Sequence, residues 1–179
     1  MKKIICALLF ASVLLLFSSS CSLRGPHLID RLFDTDKEVV NRNFERVIEA
    51  VQNRDVDALK KLFAKNSIKS SEDFEKDAIA LFDFFQGEMI SYDDRDARNA
   101  DEMRDQTGEW EFIRSTYDVE TDQDQYRFAI KQFTKDTADP DNVGIYSLYV
   151  IRTENSDVQF AYWGDNKWDP GINIEYNES

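Results

Sequence analysis

The side chains best equipped for chemistry in this sequence are aromatic and acidic. Trp110, Tyr117, Tyr126, Phe128, Tyr146 and Tyr149 recur through the second half of the chain. Tyrosine hydroxyls set among apolar rings supply the few polar contacts that a ligand pocket needs. The same set equally suits rings that pack a sheet against its covering helices. Further on, Trp163 and Trp168 stand among turn residues in the stretch from Tyr162 to Gly171. They form either a recognition rim, because exposed aromatics anchor interfaces, or a cap over the open end of a sheet. Two acidic clusters, Asp122-Gln123-Asp124 and Asp139-Pro140-Asp141-Asn142, carry oxygen donors of the kind calcium takes. Neither completes the full calcium-loop pattern, so both read as hairpin turns and no metal site is expected.

Several reaction classes drop out on residue type alone. His27 is the only histidine and precedes every one of these groups, so a Ser-His-Asp or His-Asp relay has no histidine to use. The 6 glycines form no phosphate-cradling motif, which removes the usual phosphoryl transfer. A lone buried carboxylate acting as a base stays open. No catalytic residue and no cofactor is assigned.

The first residues carry an address. Met1-Lys2-Lys3 is followed by an apolar run from Ile4 to Phe17, shorter than the roughly 20 residues that cross a bilayer as a helix, and so reads as a signal peptide over residues 1–20. Ser18-Ser19-Ser20-Cys21 leads small residues directly into a cysteine. This resembles the lipobox of bacterial lipoproteins, with Ser18 where Leu is usual. The resemblance implies cleavage before Cys21, diacylglycerol on its thiol, and residues 21–35 as a tether to the cell membrane, facing outside the cytoplasm. Ser18 and Ser20 also suit an ordinary signal peptidase, which would leave a soluble secreted protein. Cys6 departs with the leader, so no disulfide and no cysteine metal site can form within the chain.

Charge narrows the partners. The formal net charge is −13, and losing Lys2 and Lys3 with the leader makes it about −15. Such a surface repels phosphate backbones, so nucleic acid is excluded. A small hydrophobic ligand or a basic protein partner is left, besides the membrane reached through the lipid. Aromatic residues at 13% supply core material that disordered acidic chains lack.

The elements that must position these groups follow from periodicity. Val40, Phe44, Val47, Ile48 and Val51 predict an amphipathic helix over about 36–53. After Asn53-Arg54-Asp55, with Asp55 as N-cap, Val56, Leu59, Leu62 and Phe63 predict a second, shorter helix. A polar connection over 66–71 precedes a third, from Phe74 to Phe85, with Ser70 and Asp73 resembling a capping box and Gly87 as the stop. Beyond Gly87 the period falls to two, predicting strands near 88–93, 109–119, 125–134, 143–153 and 158–163 and a short one at 172–176. The segments 94–108 and 135–142 read as charged loops. Residues 36–179 thus form one α+β domain.

A long helix, an Asn-Arg-Asp turn, then Asp57-Ala58-Leu59-Lys60-Lys61-Leu62-Phe63-Ala64, a third helix and long aromatic strands look like the NTF2-like, or cystatin-like, superfamily over roughly 36–165. The chain is also similar to small lipoproteins of Gram-positive bacteria that carry this domain. The resemblance implies three N-terminal helices packed on a curved antiparallel sheet of four to six strands, enclosing a cone that is either filled or ligand-bearing. The expected function is a membrane-anchored, non-catalytic module that binds a ligand or protein. The alternatives are a small isomerase- or dehydratase-type enzyme using one buried carboxylate, and an acidic immunity or inhibitor protein.

Overall fold

The computed structural model describes residues 36–95, 99–156 and 168–175. Cys21, His27, Trp163 and the strand expected at 158–163 lie outside them. Helix α1, Asp36–Gln52, buries Val40, Phe44, Val47, Ile48 and Val51, the stripe that its period predicts. Arg54 reverses the chain with φ 53°. Asp55 then caps α2, Val56–Lys60, by accepting from the Ala58 amide at 2.9 Å.

Helix α3, Lys65–Ser70, corrects the expected polar connection. It has one apolar residue, Ile68, and is fixed from outside: Ser67 Oγ donates to the Tyr146 carbonyl and accepts from the Gly171 amide. Helix α4, Phe74–Phe84, is capped by Asp73, which accepts from Lys76 N at 3.1 Å. Ser70 ends α3, so it does not form the expected capping box. Gly87 follows α4 with φ 85°, a conformation that favours glycine. Among the described residues no helix is long and apolar enough to cross a membrane.

The strands are β1 (Met89–Asp94), β2 (Asn99–Arg104), β3 (Glu109–Thr121), β4 (Gln125–Asp136), β5 (Gly144–Arg152) and β6 (Gly171–Ile174). They form one sheet in the order β1-β3-β4-β5-β6, with β2 also pairing β3. All pairs are antiparallel except β5 with β6, which is parallel. The expectation of three helices on a curved, wholly antiparallel sheet is therefore corrected. Among the described residues four helices precede a mixed sheet, and one strand, β2, lies in the segment expected to be a loop. A tight hairpin joins only antiparallel neighbours, so β6, parallel to β5, is not a hairpin continuation of it.

One face of the sheet meets the helices. Phe44 of α1 stacks on Tyr117 of β3 with centroids 3.8 Å apart and planes 9° apart, and meets Tyr92 and Phe128 edge-on. Phe85 closes on Tyr126 and Phe128. Burying each such ring stabilises the fold by about 1.5–3 kcal/mol. These rings pack the space between α1 and the sheet.

Candidate functional site

Strand geometry divides the aromatic residues that the sequence presents as one set, because successive side chains point to opposite faces. Tyr117, Tyr126 and Phe128 are each 0% exposed in the core. The two tyrosine hydroxyls are engaged: Tyr117 donates to Asn41 at 2.9 Å, and Tyr126 donates to the Phe84 carbonyl at 3.2 Å and accepts from Gln86 N at 2.8 Å. Burial pushes both phenols above their ordinary pKa. These three residues pack the core and present no surface to a ligand.

The other face holds Trp110 and Tyr146, joined by Phe112 and Phe133. All four are partly exposed. Phe112 pairs across the ladder with Phe133, and Lys131 sits opposite Arg114. Trp110 and Phe112 lie 5.7 Å apart with planes at 17°. Phe133 meets Phe112 at 5.5 Å and 55°, and Tyr146 at 5.9 Å and 79°. The ammonium of Lys131 lies 4.3 Å from the Phe112 centroid, 5.4 Å from Tyr146 and 5.5 Å from Phe133. Three ring faces thus converge on the Lys131 ammonium, within the roughly 6 Å over which a ring quadrupole attracts it, and the Arg114 guanidinium lies 5.6 Å from the Phe112 centroid as well. Lys135 pairs with Glu109 at 2.5 Å at the rim.

Phe112, Phe133 and Lys131 are the residues that sequence reasoning missed as a site. Their signal was parity. Phe133 falls on the side of Arg127, Ala129 and Lys131, out of step with Tyr126, Phe128 and Ile130. Tyr149 lies on the same outer face, opposite Ala129, but apart from the ring cluster. Its ring meets Trp168 at 5.9 Å and 85°, and its hydroxyl accepts from Asp169 N at 3.1 Å. Trp168 is therefore packed against β5 as the chain returns to β6.

The acidic clusters are internally satisfied. Asp139 caps the short turn Pro140–Asn142, while Asp141 pairs with Lys65 at 2.8 Å and Lys69 at 3.4 Å, and the Lys65 ammonium holds its carboxyl below the usual range. Asp124 binds Arg152 at 3.0 Å. Among the described residues no group of three or more His, Cys, Asp or Glu is placed to hold a metal. Among the described residues Glu175 is the most buried carboxylate in an ion pair, at 2% side-chain exposure, and is bound by Arg152 at 2.6 Å. Asp94 sits opposite Tyr117 on the helix-facing side, where that hydroxyl already donates to Asn41. A cleft of about 470 Å³ at the ends of α1 and α4 is lined by Val51, Asn53, Arg54, Phe82, Gly87 and Glu88, among others. Its cation is engaged, since Arg54 donates to the Phe82 carbonyl at 3.1 Å and pairs with Asp83.

The molecule is thus a mixed-sheet α+β domain with a filled helix side and an aromatic outer face. A family model described as a domain of unknown function, DUF5104, matches residues 46–153. That is more than half of the chain, from the middle of α1 to just past β5, and the chain belongs to this family. Comparison with curated proteins finds no match.

Proposed function

We propose that this protein is a membrane-anchored, extracytoplasmic binding module, held by lipid on Cys21, that captures a cationic ligand or basic partner through the outer face of its sheet. The observation that carries the reading is the gathering of Phe112, Phe133 and Tyr146 around the Lys131 ammonium. It supports cation recognition at a partly exposed surface, while the helix side is occupied by packed rings. The net charge of −13 raises the local concentration of cations by long-range attraction. The anchor rests on Ser18-Ser19-Ser20-Cys21 after the apolar leader. Kinship with the NTF2-like superfamily belongs to the same proposal. It rests on the order of long helix, Asn-Arg-Asp turn and following strands, and it brings no open cavity with it.

The test combines address and capture. The full chain and Cys21→Ala are expressed in a bacterial host and fractionated, and membrane-held protein is used to capture partners from envelope extracts with and without Phe133→Leu. The expected result is loss of membrane association in Cys21→Ala and loss of capture in Phe133→Leu. Unchanged membrane association in Cys21→Ala removes the anchor, and unchanged capture in Phe133→Leu removes the outer face as the surface. The net charge also favours a second reading, an acidic inhibitor of a basic enzyme. That reading expects capture to fall steeply with salt yet to ignore the Phe133 substitution.

A further inference from the structure

We infer that the ring box on the outer face is a binding site for the trimethylammonium group of a small soluble molecule, and that Lys131 is its built-in competitor. The inference rests on the reading of the outer face as the binding surface and names its ligand class.

The box is defined by angles as well as distances. Phe112 and Phe133 are inclined at 55° and Phe133 and Tyr146 at 79°, so their faces meet a central cation from different directions. The Lys131 ammonium occupies that place at 4.3–5.5 Å from the three centroids. A primary ammonium is a strongly hydrated point charge on a flexible four-carbon stem, and it gives up water to sit among rings. A quaternary ammonium has no N–H to hydrate, presents methyl groups to every ring face, and retains the full charge that the quadrupoles attract. The better occupant of these walls is therefore the alkylated cation. The site is partly exposed, so a solute reaches the rings from solvent in competition with the lysine. Trp110, 5.7 Å from Phe112, extends the wall on one side.

The same headgroup chemistry occurs on free solutes and on lipids. The rings gather around one ammonium, with the shortest contact, 4.3 Å, to Phe112, which is room for one headgroup and no acyl chain, so a free solute is the assigned ligand. The experiment titrates purified full-length protein with choline and follows broadening of the choline methyl proton resonance. The neutral isostere 3,3-dimethylbutanol and phosphatidylcholine vesicles serve as separate arms. Choline is expected to bind the wild type weakly, and Lys131→Ala about tenfold more tightly, because the one cation that reaches all three rings is gone and Arg114 stays over Phe112 alone. Phe112→Leu keeps apolar volume but removes a ring face, and it is expected to bind about tenfold more weakly than the wild type while unfolding cooperatively.

Three results would overturn the inference: Lys131→Ala binding no tighter than the wild type, the isostere binding as well as choline, or association with vesicles only. If Phe133→Leu abolishes envelope capture while choline is silent on both wild type and Lys131→Ala, the binding surface stands and its ammonium specificity falls.

Discussion

Glu175 fastens the end of the fold to β5, and replacing it tests how the described domain is closed. Its carboxylate accepts from Arg152 N at 2.7 Å, Arg152 Nη1 at 2.6 Å and Asn155 Nδ2 at 3.1 Å, and its side chain is 2% exposed. Removing one partner of a buried pair costs about 3–5 kcal/mol when the other charge is stranded. Arg152 is not fully stranded: it is 31% exposed and keeps Asp124 at 3.0 Å, and its guanidinium lies 4.8 Å from the Phe84 ring. Those compensations reduce the expected loss for Glu175→Ala to about 2 kcal/mol. The corresponding fall in Tm is about 4–8 °C for a domain of this size. Urea unfolding followed by far-ultraviolet circular dichroism measures it, with Arg152→Ala and the double variant completing a cycle. A loss below about 0.5 kcal/mol, or strict additivity in the cycle, would refute the claim that this pair closes the fold.

Three other changes probe the core and its pH dependence. Phe44→Ala removes the ring stacked at 3.8 Å on Tyr117 and should lower unfolding free energy by about 3–5 kcal/mol; a loss under about 1 kcal/mol in urea titration would mean that the helix side is not packed as described. Gly144→Ala places a Cβ 2.8 Å from Ala64 N at φ 127°, beside the backbone hydrogen bonds that Ala64 N donates to the Ile145 carbonyl and Ile145 N donates to the Leu62 carbonyl, so the urea midpoint should fall by the equivalent of about 2 kcal/mol, and an unchanged midpoint would contradict it. Burial, then the hydrogen bond to Glu45, raises the Tyr92 phenol to about 12, and burial raises Tyr117 and Tyr126 as well. The unfolded chain therefore loses these protons first, and stability should fall as pH rises from about 10 toward 12. Tyrosinate absorbance of these rings should appear together with alkaline unfolding, and its appearance while the circular dichroism is still native would show that they are not buried.

Periodicity made the helices with a continuous apolar stripe legible. Helix α1 follows its five predicted core residues, and Asp55 caps α2 through its own side chain. Helix α3 was hidden because Lys65–Ser70 carries one apolar residue, and its stability comes from distant partners such as Tyr146, Asp139 and Asn142. Strand β2, Asn99–Arg104, shows no alternation of apolar and polar residues. It is a strand because β3 offers it an edge, and propensity does not record such an offer. The parallel placement of β6 depends on Ser147 meeting Gly171, a pairing that no local pattern announces.

The candidate site was half legible for a reason that also makes it separable from the core. A strand sends odd and even residues to opposite faces, so on β3 Tyr117 enters the core while Phe112 faces outward, and on β4 Phe128 and Lys131 divide in the same way. Reading all the rings as one set joined two surfaces that share a backbone but no side-chain environment. Tyr117 has no exposed surface, so its loss is felt as stability. Phe112 is partly exposed and lies against the Lys131 ammonium, so Phe112→Leu retains most of its burial and removes a cation contact. Substitutions of one parity should therefore move the unfolding midpoint, and those of the other should move binding. A protein in which both parities moved both quantities equally would not be using the sheet in this two-sided way.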